Sequence, residues 1–285
     1  MVNEQMRQNW NTGAAGWVAN RALFDAVFAP VTAAVLEAAE LGPEHRMLDV
    51  GCGAGTLLAA GAEAGASPVG VDISEVMAEA ARRRVPEAEV VVADAQTADL
   101  LEASPGRPFD RVVSRFGVMF FADPAAAFAN IRRACQPGAR MVFACWRTAA
   151  ENPVFTAGSE VIAARLESKP EPGGPNAPGP TAFADPERLG NLLSRAGWGR
   201  VRIDPFDFVC DYGIDGSDGV DERLAWILGS GTARLARERL LPELGPDGWE
   251  ALLDEVRADL RRYLVDGAVR FPGAAWLVTA ANPAA

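Results

Sequence analysis

Apolar positions along the chain recur first at helical spacing and then in short runs separated by helical stretches. Leu23, Phe24, Val27, Phe28, Val31 and Val35 lie three or four apart, which predicts one amphipathic helix over 21–39. Arg46 to Val50 reads as a first strand, followed by a helix from Gly55 to about Ala64. Pro68 to Asp72 reads as a second strand, and a helix follows from Ser74, a natural N-cap, to Arg84. A third strand, Val90 to Ala93, is closed by Asp94, and a fourth runs from Asp110 to Arg115. Asp123-Pro124 opens a helix to about Cys135, an N-cap followed by proline in the first turn. After the turn at Pro137-Gly138, Arg140 to Trp146 reads as a fifth strand.

Beyond Arg147 the alternation loosens. A helix is expected near 153–167, then a proline- and glycine-rich loop from Lys169 to Pro180. Asp185-Pro186 starts another helix that ends near Gly197, and Val201 to Val209 alternates as a strand. Residues 219–265 read as helical, with breaks at 229–231 and 242–246, and Phe271 to Ala280 is a last strand. Strand and helix in alternation predict an α/β fold around a mostly parallel sheet, with no internal repeat.

The chain's net charge of −11 gives no basic track for phosphate, so a nucleic-acid partner is not expected. Its one basic run, Arg82-Arg83-Arg84, ends a predicted helix, where cations suit the dipole. No run of about 18 apolar residues suggests a membrane span, and the first ten residues have no apolar signal core. A cytoplasmic setting is therefore expected. Cys52, Cys135, Cys145 and Cys210 form no C-x-x-C pair, and there is one histidine, so neither disulfides nor a metal site are expected. Cys52 sits in a glycine turn; the other three read as small buried apolar residues.

That turn carries the chemistry. Asp49-Val50-Gly51-Cys52-Gly53-Ala54-Gly55 joins the first strand to the next helix, and such a junction brings backbone N–H groups to a polar ligand. The dinucleotide fingerprint is G-x-G-x-x-G, whereas here the glycines read G-x-G-x-G and Thr56 follows. Asp72, 21 positions after Gly51, ends the second strand, where a carboxylate can accept from both ribose hydroxyls. By itself that acid serves a nicotinamide dinucleotide and S-adenosylmethionine alike. Asp94 ends the third strand, and a carboxylate there can accept from an exocyclic amine.

Met47 to Thr56 resembles the first motif of the class I S-adenosylmethionine-dependent methyltransferases. Val69 to Ser74, Val92 to Ala95 and Phe109 to Gly117 follow in that family's order. Trp10-Asn11-x-Gly13-x-x-Gly16-Trp17 resembles the lid of the ubiquinone/menaquinone-biosynthesis-type branch, which acts on small molecules. The two tryptophans read equally well as docking a terminal helix on the core.

The resemblance covers about half the chain. It implies a Rossmann-like, seven-stranded, mostly parallel sheet with helices on both faces and a final antiparallel strand. It implies a helical lid over 1–45, a cofactor-binding core over 46–147, and closing strands with a helical substrate cap over 148–285. S-adenosyl-L-methionine is the implied cofactor. Gly51, Cys52 and Gly53 would meet its methionine end, with Asp49 orienting that turn and Asp72 and Ile73 at the ribose. Met77, Asp94 and Ala95 would meet the adenine, Arg115 and Phe116 would pass beside the sulfonium, and Trp10 and Trp17 would close over it.

Phe120, Trp146, Arg147, Phe155 and Phe183 are candidate substrate walls, although aromatics at such places also serve as core. No catalytic residue is assigned. Ligands of open α/β sheets sit at the carboxyl ends of the strands. His45 precedes the first strand, so it is expected at a surface loop on the wrong edge to be a base. Asp123 and Asp185 read as helix caps. The expected reaction is in-line methyl transfer to a small molecule without a histidine base. Two other readings stay open: a non-methylating protein of the same fold, catalysing a rearrangement or cyclisation or using the cofactor structurally, and an NAD-dependent oxidoreductase. The sequence does not specify oligomeric state.

Overall fold

Strand β1 (Arg46–Val50) is buried along its whole length, as a central strand covered on both faces must be. In the computed structural model, which describes residues 3–104, 106–166, 174 and 177–284, three helices precede it. These are α1 (Glu4–Ala19), α2 (Arg21–Val27) and α3 (Ala29–Ala39). The single helix expected over 21–39 is thus two helices, bent by 67° at Phe28. Pro30 explains the break: it lies in the first turn of α3, where its missing N–H costs nothing, but it could not continue α2.

The alternation then runs α4 (Thr56–Glu63), β2 (Ser67–Asp72), α5 (Glu75–Arg84), β3 (Glu89–Val92), α6 (Leu100–Ala103), β4 (Phe109–Arg115), α7 (Pro124–Arg133) and β5 (Cys135–Trp146). Three side-chain caps act as expected. Ser74 accepts from Met77 N, Asp123 from Ala126 N, and Asp185 from Glu187 N and Arg188 N. β5 starts earlier than expected and carries Pro137 and Gly138 within it.

The second half adds α8 (Ser159–Ala163), α9 (Pro186–Arg195), β6 (Gly199–Asp211), α10 (Val220–Leu228), α11 (Gly231–Leu260), the short β7 (Leu264–Val265) and β8 (Ala268–Ala281). The helix expected over 153–167 is only a 3-10 turn at Pro153–Phe155 and the short α8. Most of the loop expected from Lys169 to Pro180 lies outside the described residues. α11 is interrupted at Gly245, whose φ of 71° leaves the helical region between Pro242 and Pro246.

The strands lie in the order β3-β2-β1-β4-β5-β8-β6, with β7 paired to β8. β1 to β5 pair in parallel, and β8 is antiparallel to both β5 and β6. This is the Rossmann-like sheet with an antiparallel last strand, and helices pack around it. The chain winds outward from β1 through β2 and β3, then returns to the other side of β1 for β4 and β5. The crevice between the carboxyl ends of β1 and β4 is therefore the place where such a sheet accepts a ligand. Among the described residues no single helix is long and apolar enough to cross a membrane.

Candidate functional site

The site begins where β1 ends. Gly51, Gly53 and Gly55 all have positive φ, 69°, 53° and 84°. Gly51 also meets a steric limit, since a Cβ there would lie 2.8 Å from the Gly117 Cα in the loop after β4. The backbone N–H groups of Gly51 and Cys52 both donate to the Val71 carbonyl, at 2.8 and 3.2 Å, which pins the turn to β2.

Three carboxylates line the same cavity as this turn. Asp72 accepts from Gly53 N at 2.9 Å through Oδ2 and from Ser74 N at 2.8 Å through Oδ1. Each oxygen keeps a lone pair for a ligand hydroxyl. Burial raises its pKa, while these N–H donors pull it back toward the charged form. Asp94 accepts from Gln96 N at 2.9 Å and from the Asn3 side chain at 2.8 Å. Asp49 is 2% exposed, and its Oδ1 has no hydrogen-bond partner. Burial pushes the Asp49 carboxyl up to about 8, against the pull of Arg115 and with a further push from Asp72.

Helix α1 roofs the cavity, bringing Asn3, Met6, Trp10 and Trp17 to it from one face. Trp10 meets Phe120 edge-on, with centroids 5.0 Å apart, and Trp17 stacks on Phe24 at 3.9 Å. Below them runs a polar cluster. Asp25 accepts from Thr56 Oγ1 at 2.6 Å, pairs with Arg84 at 2.9 Å and lies 3.6 Å from Arg115. Arg115 also donates to Thr32 Oγ1 at 2.8 Å, and burial lowers its pKa. Arg84, expected merely to suit the end of α5, thus turns inward to hold α2.

The cavity spans about 1200 Å³, counting the part continuous with solvent. It brings together Trp10, Trp17, Asp49, Gly51, Cys52 and Gly53 from the expected set. Asp72, Ile73, Met77, Asp94, Ala95, Arg115, Phe116 and Phe120 line it too. Trp146, Arg147, Phe155 and Phe183, expected as substrate walls, do not. Trp146 lies behind Phe116, and Phe155 packs edge-on against Trp146. Phe183 is 1% exposed in the core against Phe128. Arg147 pairs with Asp207 and Glu151 and lies over the Trp276 ring. Aromatic and basic side chains after β5 read identically whether they face a ligand or the core.

Sequence reasoning missed Asn3, Met6, Arg21, Phe24, Asp25 and Phe28 as lining residues. Phe24 and Phe28 were read as helix core, a role that they also fill. Asn3 carries no sequence signal. His45 lies at the amino end of β1, away from the cavity, but it is half-buried rather than a free loop residue, with Glu44 beside it at 3.2 Å.

Residues 48–143 match the family model described as a methyltransferase domain. Over 174 residues the chain is 29% identical to a demethylmenaquinone methyltransferase of Renibacterium salmoninarum, covering 59% of this chain and 72% of that one. The YcgJ protein of Bacillus subtilis shares the fold, with a TM-score of 0.55 at 18% identity over 89% of this chain and 98% of its own. So does a phosphoethanolamine N-methyltransferase 2 of Haemonchus contortus, solved with S-adenosylhomocysteine (TM-score 0.52, 18% identity, 99% of this chain and 60% of that one). Over residues 48–143 the chain is similar to methyltransferases, and its sheet is the Rossmann-like sheet of their fold.

The residues lining the cavity fit S-adenosylmethionine, the cofactor that the sequence resemblance implies. The unpartnered Oδ1 of Asp49 is an acceptor suited to an ammonium group. Asp72 keeps acceptor capacity for two hydroxyls. Met77 and Ile73 offer an apolar wall to a flat base, next to the acceptor Asp94.

Proposed function

We propose that this chain transfers the methyl group of S-adenosylmethionine to an aromatic or otherwise apolar small molecule whose accepting atom needs no histidine base. The observation that carries this reading is the character of the cavity wall away from the three carboxylates. Trp10, Trp17, Phe24, Phe28, Phe116 and Phe120 dominate it, and no histidine, lysine or tyrosine lines it among the described residues. A planar, lipophilic acceptor suits such a wall. The demethylmenaquinone methyltransferase relative supports the same class of acceptor.

In this reading Asp72 holds the ribose, Asp94 and Ala95 the purine edge, Met77 and Ile73 its face, and Asp49 the amino end of the methionine. The bound cofactor supplies an electrophilic methyl on a sulfonium, open to in-line displacement. The protein's task is then mainly alignment and exclusion of water, which can supply much of the acceleration. Helix α1 covers the mouth, and the aromatic side chains keep the acceptor side dry. Asp25 also lines the cavity, but its carboxylate is already engaged by Thr56, Arg84 and Arg115. The acceptor therefore enters already nucleophilic, as a phenolate, a carboxylate, an enolate or an uncharged amine.

Residues 1–45 serve as the lid, 46–147 as the cofactor core and 148–285 as closing strands and cap. The acidic composition supports an enzyme with no nucleic-acid partner. Incubating the protein with methyl-labelled cofactor and a panel of hydroquinones, phenols, aromatic acids and amines tests the reading. Label in an aromatic acceptor is expected. Transfer confined to polar amines would overturn the proposed acceptor class.

A further inference from the structure

Asn3 is 5% exposed, and its amide uses both ends. Nδ2 donates to Asp94 Oδ2 at 2.8 Å and to Gln96 Oε1 at 3.2 Å, while Oδ1 accepts from Ala122 N at 3.1 Å. Gln96 Oε1 accepts in turn from Asp123 N at 2.9 Å. One side chain thus joins the acid after β3, the turn that follows it and the loop after β4. The same residue stands at the start of α1, the helix that roofs the cavity.

We propose that Asn3 is a positioning residue for the purine end of the cofactor site and, through Asp94, sets its preference for a 6-amino purine. The inference rests on the reading above, in which Asp94 accepts from the adenine amino group. Gln96 N fixes Oδ1 of Asp94, and Asn3 Nδ2 fixes Oδ2, so the carboxylate plane cannot rotate. One lone pair on each oxygen remains for a donor on the ligand. A purine with an oxo group at that position presents an acceptor to a fixed carboxylate and is repelled. Without Asn3 the carboxylate is free to turn away, the roof loses its anchor at this end, and water can reach the purine edge.

The test compares the Kd values of S-adenosylhomocysteine and S-inosylhomocysteine by calorimetry. Wild type, Asn3→Ala and Asn3→Asp are measured; the aspartate keeps the acceptor to Ala122 N but not the donor. Wild type is expected to favour the adenosine ligand at least ~10-fold, as a charge-assisted hydrogen bond allows, and both variants are expected to cut that preference about five-fold. In an Asp94→Asn background, Asn3→Ala is expected to leave the ratio where Asp94→Asn alone puts it. A purely structural clamp would weaken both ligands equally. An unchanged ratio in folded Asn3→Asp protein that still binds S-adenosylhomocysteine overturns the inference alone. Wild type binding neither ligand overturns the cofactor reading and the inference with it.

Discussion

Phe116 lies flat on Trp146, with ring planes 1° apart and centroids separated by 4.3 Å. Phe116 has a φ of 64°, a left-handed conformation that costs a residue with a Cβ about 1–2 kcal/mol. The following residue explains part of that geometry. Gly117 passes so close to β1 that a Cβ on it would lie 2.5 Å from the Val50 carbonyl oxygen. The chain turns sharply there, and Trp146 receives the ring that the turn projects. Trp146→Ala is expected to destabilise the fold by about 3–5 kcal/mol, measured by urea unfolding. Phe116→Ala removes a cavity wall without opening the core as far, so its main effect is expected in the KM for the acceptor. An unchanged KM with weakened S-adenosylhomocysteine binding would place Phe116 on the cofactor side instead.

The glycine turn separates a steric role from a binding role. Gly51→Ala combines positive φ with a 2.8 Å approach to backbone, so a loss of about 1–3 kcal/mol is expected in chemical unfolding. Gly53 has positive φ too, but no atom lies within 4 Å of a Cβ placed there. Gly53→Ala is expected to cost the fold only about 1–2 kcal/mol, while calorimetry shows cofactor affinity falling because the methyl projects toward the ligand. Equal effects of the two variants on both measurements would contradict this division.

Much of this turn was legible in the sequence because glycine spacing and strand-end acids are local patterns. Asp49, Gly51, Asp72 and Asp94 sit at the ends of strands whose apolar runs are unambiguous. That the last strand is antiparallel came from family resemblance, and its place between β5 and β6 was not foreseen, since pairing of distant strands leaves no local mark. The bend at Phe28 was readable from Pro30 but was outweighed by a continuous apolar stripe that serves two helices as well as one. The acceptor-side residues were the least legible. Phe183 and Phe28 are both apolar aromatics near helix starts, yet one fills the core beneath α7 and the other also reaches the cavity.

Asp49 gives the ligand-free protein a pH-dependent stability. Its pKa in the fold, about 8, lies above the ordinary carboxylate value of about 3.9. The folded state therefore holds this proton more tightly than the unfolded state. The resulting stabilisation is full below about pH 4 and is lost progressively as pH rises toward about 8. Tm is expected to fall between pH 6 and pH 8 by more in wild type than in Asp49→Asn, at the ~1.4 kcal/mol per pH unit scale of one proton. Parallel Tm profiles for the two proteins would show that Asp49 does not titrate in this window.

Asp25 joins α2 to α5 and β4 through Arg84 and Arg115. Asp25→Asn would leave two largely buried guanidinium groups without their shared carboxylate. A loss of about 3 kcal/mol is expected in urea unfolding. Asp25→Asn is also expected to raise the Kd for S-adenosylhomocysteine, because Arg115 would be free to move toward Asp49. Unchanged stability would mean that Thr32 and Thr56 satisfy the two arginines without Asp25.

Calorimetric titration with S-adenosylhomocysteine tests most directly whether the crevice between β1 and β4 is a methyl-donor site. Saturable binding at one site per chain is predicted, weakened about ten-fold or more by Asp72→Ala, which removes the acceptor for two hydroxyls. No binding to the wild-type protein, or binding untouched by Asp72→Ala, would contradict the account.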